Sequence, residues 1–165
     1  LAELFARDGQ GTMVYSGHYE QLRGATIDDV GGILGLIEPL EAEGILVRRS
    51  RELLETEITK FNVLEKDGTI IACAAVYPFG QMAELACVAT HPEYRKGGRA
   101  AQLLEQLERR ARDSGIDTLF VLTTQTAHWF LEHGFVPGAI NDLPLERQSL
   151  YNYQRGSKVF FKDIR

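Results

Sequence analysis

Residues 84–100 read Glu84-Leu85-Ala86-Cys87-Val88-Ala89-Thr90-His91-Pro92-Glu93-Tyr94-Arg95-Lys96-Gly97-Gly98-Arg99-Ala100, an apolar strand pattern running into a basic, glycine-bearing loop. Beyond the loop, Ala100, Leu103, Leu104, Leu107 and Ala111 share one helical face, and Gly115 is the stop signal. A glycine-rich turn that opens directly into a helix gathers main-chain N–H groups at one spot, and the positive helix end strengthens their pull on an anion. The loop is therefore read as a pyrophosphate cradle. Gly97, Gly98 and Ala100 let a phosphate approach the backbone, while Arg95, Lys96 and Arg99 bring charge within reach. An ordinary strand-to-helix turn with solvated basic residues has the same letters, so the loop needs its context.

Upstream, Tyr19 to Ala25 reads as a strand, and Thr26 as an N-cap for a helix carrying Val30, Ile33, Leu34, Ile37 and Leu40 on one face. Ser50 reads as the cap of a second helix reaching about Lys60. Strands at 61–65 and 69–78 flank Lys66-Asp67-Gly68-Thr69, where Asp-Gly meets the positive φ demands of a tight hairpin. The decisive strand spans 82–89. Downstream come a strand at 118–124, a short helix at 127–133 stopped by Gly134, a helix start near Asp142, and a last strand at 158–162. Three successive strands followed by strand–helix alternation imply an α/β (α+β) domain: a mixed, mostly antiparallel central sheet flanked by helices on both faces.

The 165 residues, 44% of them hydrophobic, suffice for one well-buried domain. Residues 1–18, with Gly9, Gly11 and Gly17, read as a leader or connector, and 19–165 as the domain itself. The chain opens on Leu1 rather than Met, which reads as a processed or shortened protein. A net charge of -5 and a pI near 5.4 argue against a nucleic-acid partner, whose recognition relies on clustered cations. Apolar runs such as 70–76 are strand-sized, far below the roughly 20 residues that cross a bilayer. Cys73 and Cys87 match neither a disulfide framework nor a metal motif, and read as buried thiols in a reducing cytoplasm. No metal site is expected, since His91 and His128 lack ligand-spaced neighbours.

Context for the loop comes from two motifs. Arg95-x-x-Gly98-x-Ala100 after an apolar strand resembles the acetyl-CoA loop of the GNAT superfamily, and Trp129-Phe130-Leu131-Glu132-His133-Gly134-Phe135 resembles its aromatic-x-x-x-x-Gly-Phe element. The segments 44–52, 84–89, 119–124 and 151–157 narrow the resemblance to the acetyltransferase domain of the bacterial N-acetylglutamate synthases. That resemblance covers about residues 19–165 and implies the GNAT fold. Residues 4–14 are similar to the end of the amino-acid-kinase-like domain that precedes it in that family, which makes 1–18 a remnant or linker of such a domain.

The resemblance implies transfer of acetyl from acetyl-CoA to the α-amine of L-glutamate, the first step of arginine biosynthesis, in a cytoplasmic enzyme that can be a homo-oligomer. An ammonium must lose a proton before it attacks a thioester, so a carboxylate or an ordered water is needed nearby. Glu84 is the candidate base. Main-chain N–H groups around Cys87 or Val88 are candidate donors to the oxyanion. Phe130 stands where many GNAT enzymes place a proton-donating tyrosine; the synthase family points instead to Thr123. For the substrate carboxylates it points to Arg49 and Arg155, helped by Ser157, with Arg48 and Arg51 competing for the role. Cys87 as a nucleophile is disfavoured, because no His–Asp partner pattern activates it. Two rivals stay open: a GNAT enzyme for another small amine or amino acid, and a catalytically silent acyl-CoA-binding domain.

Overall fold

Asp67 (φ +50°) and Gly68 (φ +83°) form the tight turn that the Asp-Gly pair predicts. The computed structural model describes residues 12–15, 18–95, 98–124, 128–151 and 156–165. The chain divides into two units, Leu1–Ala75 with Cys87–Leu103, and Val76–Ala86 with Leu104–Arg165.

In the first unit, strands β1 (Thr12–Tyr15), β2 (His18–Gly24), β3 (Phe61–Lys66) and the Thr69–Ala75 part of β4 (Thr69–Phe79) lie in chain order, joined by antiparallel pairings. A 3-10 turn (Ile27–Asp29) precedes helix α1 (Val30–Ala42). Thr26 therefore opens the 3-10 turn rather than α1 itself, and the Asp29 carboxylate accepts from its backbone N–H at 2.7 Å. Ser50 caps α2 (Arg51–Thr56) as expected, its hydroxyl oxygen accepting from the Leu53 N–H at 3.1 Å. The helix expected to reach Lys60 breaks into α2 and a 3-10 turn (Ile58–Lys60), and Phe61 begins β3 where the strand was expected. Leu22, Ile33, Ile37, Leu54, Phe61 and Ile71 are fully or almost fully buried here. β1, in a stretch read as connector, was not anticipated.

In the second unit, the Met82–Glu84 part of β5 (Met82–Thr90) pairs in parallel with β6 (Thr118–Thr123), which pairs antiparallel with β8 (Lys158–Asp163), and β8 with β7 (Val136–Gly138); from Cys87 on, β5 belongs to the first unit. Phe120, Leu143 and Val159 form the buried cluster, with Phe79, Met82 and Phe161 packed against it. Helix α3 (Arg99–Asp113), whose residues as far as Leu103 belong to the first unit, ends where Gly115, at φ +89°, turns the chain. Its buried stripe is Leu103, Leu104, Leu107 and Ala111, as the periodicity predicts. Helices α4 (His128–Glu132) and α5 (Leu145–Gln148) are short. The three-residue, fully exposed β7 has no alternation to announce it. Among the described residues no helix is long and apolar enough to cross a membrane.

Candidate active site

β5 carries Glu84, Cys87 and Val88. Its side chains alternate strictly, with Ala83, Leu85, Cys87 and Ala89 buried and the residues between them half-buried. The register with β6 runs only from Met82↔Thr118 to Glu84↔Phe120, although both strands continue. Three residues after Glu84, Cys87 has φ +54°, a left-handed conformation that a residue with a Cβ adopts at a cost. A left-handed residue within a strand re-aims the adjoining peptide groups away from a regular ladder. The Cys87 carbonyl accepts from the Cys73 thiol at 3.5 Å, and burial pushes that thiol far above its ordinary range, so Cys73 is an inert anchor.

Beyond β5, His91 Nδ1 accepts from the Glu93 N–H at 3.1 Å, starting the 3-10 turn Pro92–Tyr94. The exposed Arg95 reaches back to the Thr90 carbonyl at 3.4 Å. Gly98 has φ +76° and, among the described residues, no neighbour within 4 Å of a would-be Cβ, which leaves the backbone open to approach on that side. The Gln102 N–H donates to Gly98 O at 3.0 Å, closing the first turn of α3. The N–H groups ahead of it are those that a helix start points outward. Arg99 has a partner in β2. Its guanidinium grips the buried Glu20 of β2, with Nη2 2.7 Å from Oε2 and Nε 3.3 Å from Oε1, and lies over the Tyr94 ring. Lys96 and Gly97 lie outside the described residues, whereas Ala100 sits half-buried in the first turn. Among the competing arginines, Arg49 is half-buried, Arg48 is exposed, and Arg51 pairs with Glu55 along α2.

The second unit holds Glu84, Thr123 and Ser157. Glu84 is not alone: Arg147 of α5 places Nε 2.6 Å from Oε1 and Nη2 3.4 Å from Oε2. Thr123 ends β6 opposite Lys158, and the hydroxyl of the next residue, Thr124, is buried with no partner among the described residues. Ser157 is half-buried, and its carbonyl accepts from the Tyr151 hydroxyl. Arg155 lies outside the described residues. Phe130 packs edge-on against Trp129 and Phe135, and Gly134 turns at φ +93° so that the Phe135 N–H returns to Phe130 O at 3.0 Å. The aromatic-Gly-Phe element is thus a packing and capping device. Among the described residues, no group of three or more His, Cys, Asp or Glu could hold a metal ion.

Residues 36–135 match the acetyltransferase (GNAT) family. The chain belongs to this family. It is 61% identical over 166 residues to an amino-acid acetyltransferase of Pseudomonas syringae pv. syringae, and 62% identical to one of Azotobacter vinelandii. Each alignment takes in 99% of this chain, which spans only 38% of the length of either relative. An N-acetylglutamate synthase structure from Neisseria gonorrhoeae, complexed with coenzyme A and N-acetyl-glutamate, superposes with a TM-score of 0.85 at 38% identity. That match covers 88% of this chain and 35% of the other.

In this GNAT domain, sequence reasoning missed Arg147, Thr124 and Glu20. Glu84 and Arg147 stand 63 positions apart, and Glu20 and Arg99 stand 79 apart, so no local spacing rule joins either pair.

Proposed function

We propose that this domain transfers the acetyl group of acetyl-CoA to the α-amine of L-glutamate, giving N-acetylglutamate for arginine biosynthesis. Glu84, acting through water, takes a proton from the α-ammonium. The amine then attacks the thioester carbonyl and forms the C–N bond of a tetrahedral oxyanion, whose collapse breaks the C–S bond to coenzyme A as the nitrogen gives up its surplus proton to water. Main-chain N–H groups at Cys87 or Val88 receive the oxyanion, and Thr123 returns a proton to the departing thiolate. Arg49, Arg155 and Ser157 take the substrate carboxylates. Arg95, Lys96, Gly97, Gly98 and Ala100 hold the diphosphate at the mouth of α3, and Arg99 holds that mouth in place through Glu20. The reading rests chiefly on the left-handed Cys87, three residues past Glu84 on the strand that leads to the open Gly98 backbone.

The glutamate preference draws on the synthase likeness. Because the chain spans 38% of its relatives, we further propose that the full-length protein carries a preceding amino-acid-kinase-like domain, with residues 1–18 as its end or linker, and works as a cytoplasmic homo-oligomer. Incubation with acetyl-CoA and a panel of amino acids and amines, followed by free thiol, tests the function. Release with L-glutamate supports it. Release only with another amine, or tight coenzyme A binding with no turnover, overturns it.

A further inference from the structure

The carboxylate assigned as base is clamped by a residue that no sequence pattern connects to it. Arg147 and Glu84 keep only 17% and 13% of their side-chain surface exposed, so this pair is unlike solvated surface pairs, which contribute little. The geometry has a rigid source. Leu143 is buried beside Phe120 and Val159, and Gln148 Nε2 donates to the Leu143 carbonyl at 2.7 Å. The Arg147 N–H donates to Pro144 O at 2.9 Å, fixing the turn of α5 from which the guanidinium extends. Outward, the same helix buries little, with Leu145 81% exposed. What α5 delivers to the interior is the Arg147 guanidinium. Its Nη1 is buried with no partner among the described residues, and a buried donor of this kind calls for a partner such as an ordered water.

From this geometry we infer that Arg147 is the positioning residue for the reaction base: its fork fixes the Glu84 carboxylate in one rotamer, occupying one edge and leaving the remaining lone pairs for a water on the substrate amine. The inference rests on the proposed role of Glu84. An arginine is needed because a planar fork fixes orientation as well as charge, whereas a lysine supplies a point charge alone. Arg147 acts on turnover, through Glu84, and not on the hold on acetyl-CoA.

Steady-state kinetics of E84Q, R147M, R147K and the E84Q/R147M double variant, with coenzyme A binding and unfolding midpoints measured on each, test this. R147M is expected to lower kcat by about 10-fold or more, a part of the roughly 10²–10⁴-fold that general-base catalysis contributes, while the acetyl-CoA KM stays at the wild-type value. R147K should recover part of the loss. In the E84Q background, R147M should change kcat little, because the two residues act as one unit. Equal losses in both backgrounds, an unchanged kcat in R147M, or a loss carried by the acetyl-CoA KM overturns the inference. If R147M does not fold, R147K and E84Q/R147K carry the same comparison. An E84Q enzyme with wild-type kcat instead overturns the reading of Glu84 itself, whereas an impaired E84Q with additive losses overturns only the role of Arg147.

Discussion

Arg99 Nη2 lies 2.7 Å from Oε2 of Glu20, a carboxylate with no exposed surface, so the first residue of α3 is tied to β2 by a buried ion pair. Desolvating two charges costs free energy, but removing one partner costs more, because the other stays buried and unpaired. Arg99→Met is expected to destabilise the protein by about 3–5 kcal/mol, whereas Glu20→Gln with Arg99→Met together lose clearly less than the two single losses added. Urea unfolding of the three variants measures this.

Cys87 separates backbone from side chain. Glycine accepts φ +54° without strain, so Cys87→Gly should keep most of the wild-type kcat. A β-branched residue resists that conformation by about 1–2 kcal/mol. Cys87→Val should therefore lose activity on the order of 10²-fold, as when an oxyanion donor is removed. Thiol-release kinetics check both, and an inactive Cys87→Gly that still folds would point to a thiol nucleophile instead.

Asp29 carries an acid-sensitive part of the stability. The Arg23 guanidinium, at 2.7 and 2.9 Å, holds its carboxyl below the usual range, with the Thr26 N–H assisting against the opposing effect of burial. A carboxyl depressed in the folded state stabilises fully above its unfolded value, about 3.9, and that stability is lost as pH falls through the folded one. Unfolding free energy is expected to drop as pH falls from about 4 to about 2, roughly the window below the unfolded value, and to drop less in Asp29→Asn. Denaturant titrations at the two pH values make the comparison.

Two neighbouring glycines of α1 should respond oppositely to alanine. Among the described residues Gly31 has nothing within 4 Å of a would-be Cβ, so Gly31→Ala gains the helix-propensity difference of roughly 0.5–1 kcal/mol. At Gly32 a Cβ would sit 2.9 Å from Ile70 Cγ1 and 3.2 Å from Ile70 Cβ. That contact lies at the branch point of a side chain and yields little. Gly32→Ala should lose stability, by about 1–3 kcal/mol if the overlap is fully felt. Thermal unfolding of both variants decides it.

What could be read from the letters was local. The stripe of α3, the Asp67-Gly68 turn, the alternation of β5 and the Gly134 stop each follow from a spacing of two, of three to four, or from one residue's φ. β1 and β7 escaped because four and three residues are too few to show a period. The left-handed φ of Cys87 escaped because a cysteine in an apolar run carries no signal of it. Arg99 was read as free charge because its partner, Glu20, is brought to it only by the fold. Arg147 went unnoticed for the same reason, being joined to Glu84 by tertiary structure alone.

The claim beneath all of this is that main-chain donors at the start of α3 grip the diphosphate of coenzyme A. Titrating the 15N-labelled protein with coenzyme A and following each amide tests it directly. The account predicts that the largest shifts fall on Gly98, Arg99 and Ala100, with Val88 following. Unmoved amides at those positions, with the shifts gathered elsewhere, would contradict it.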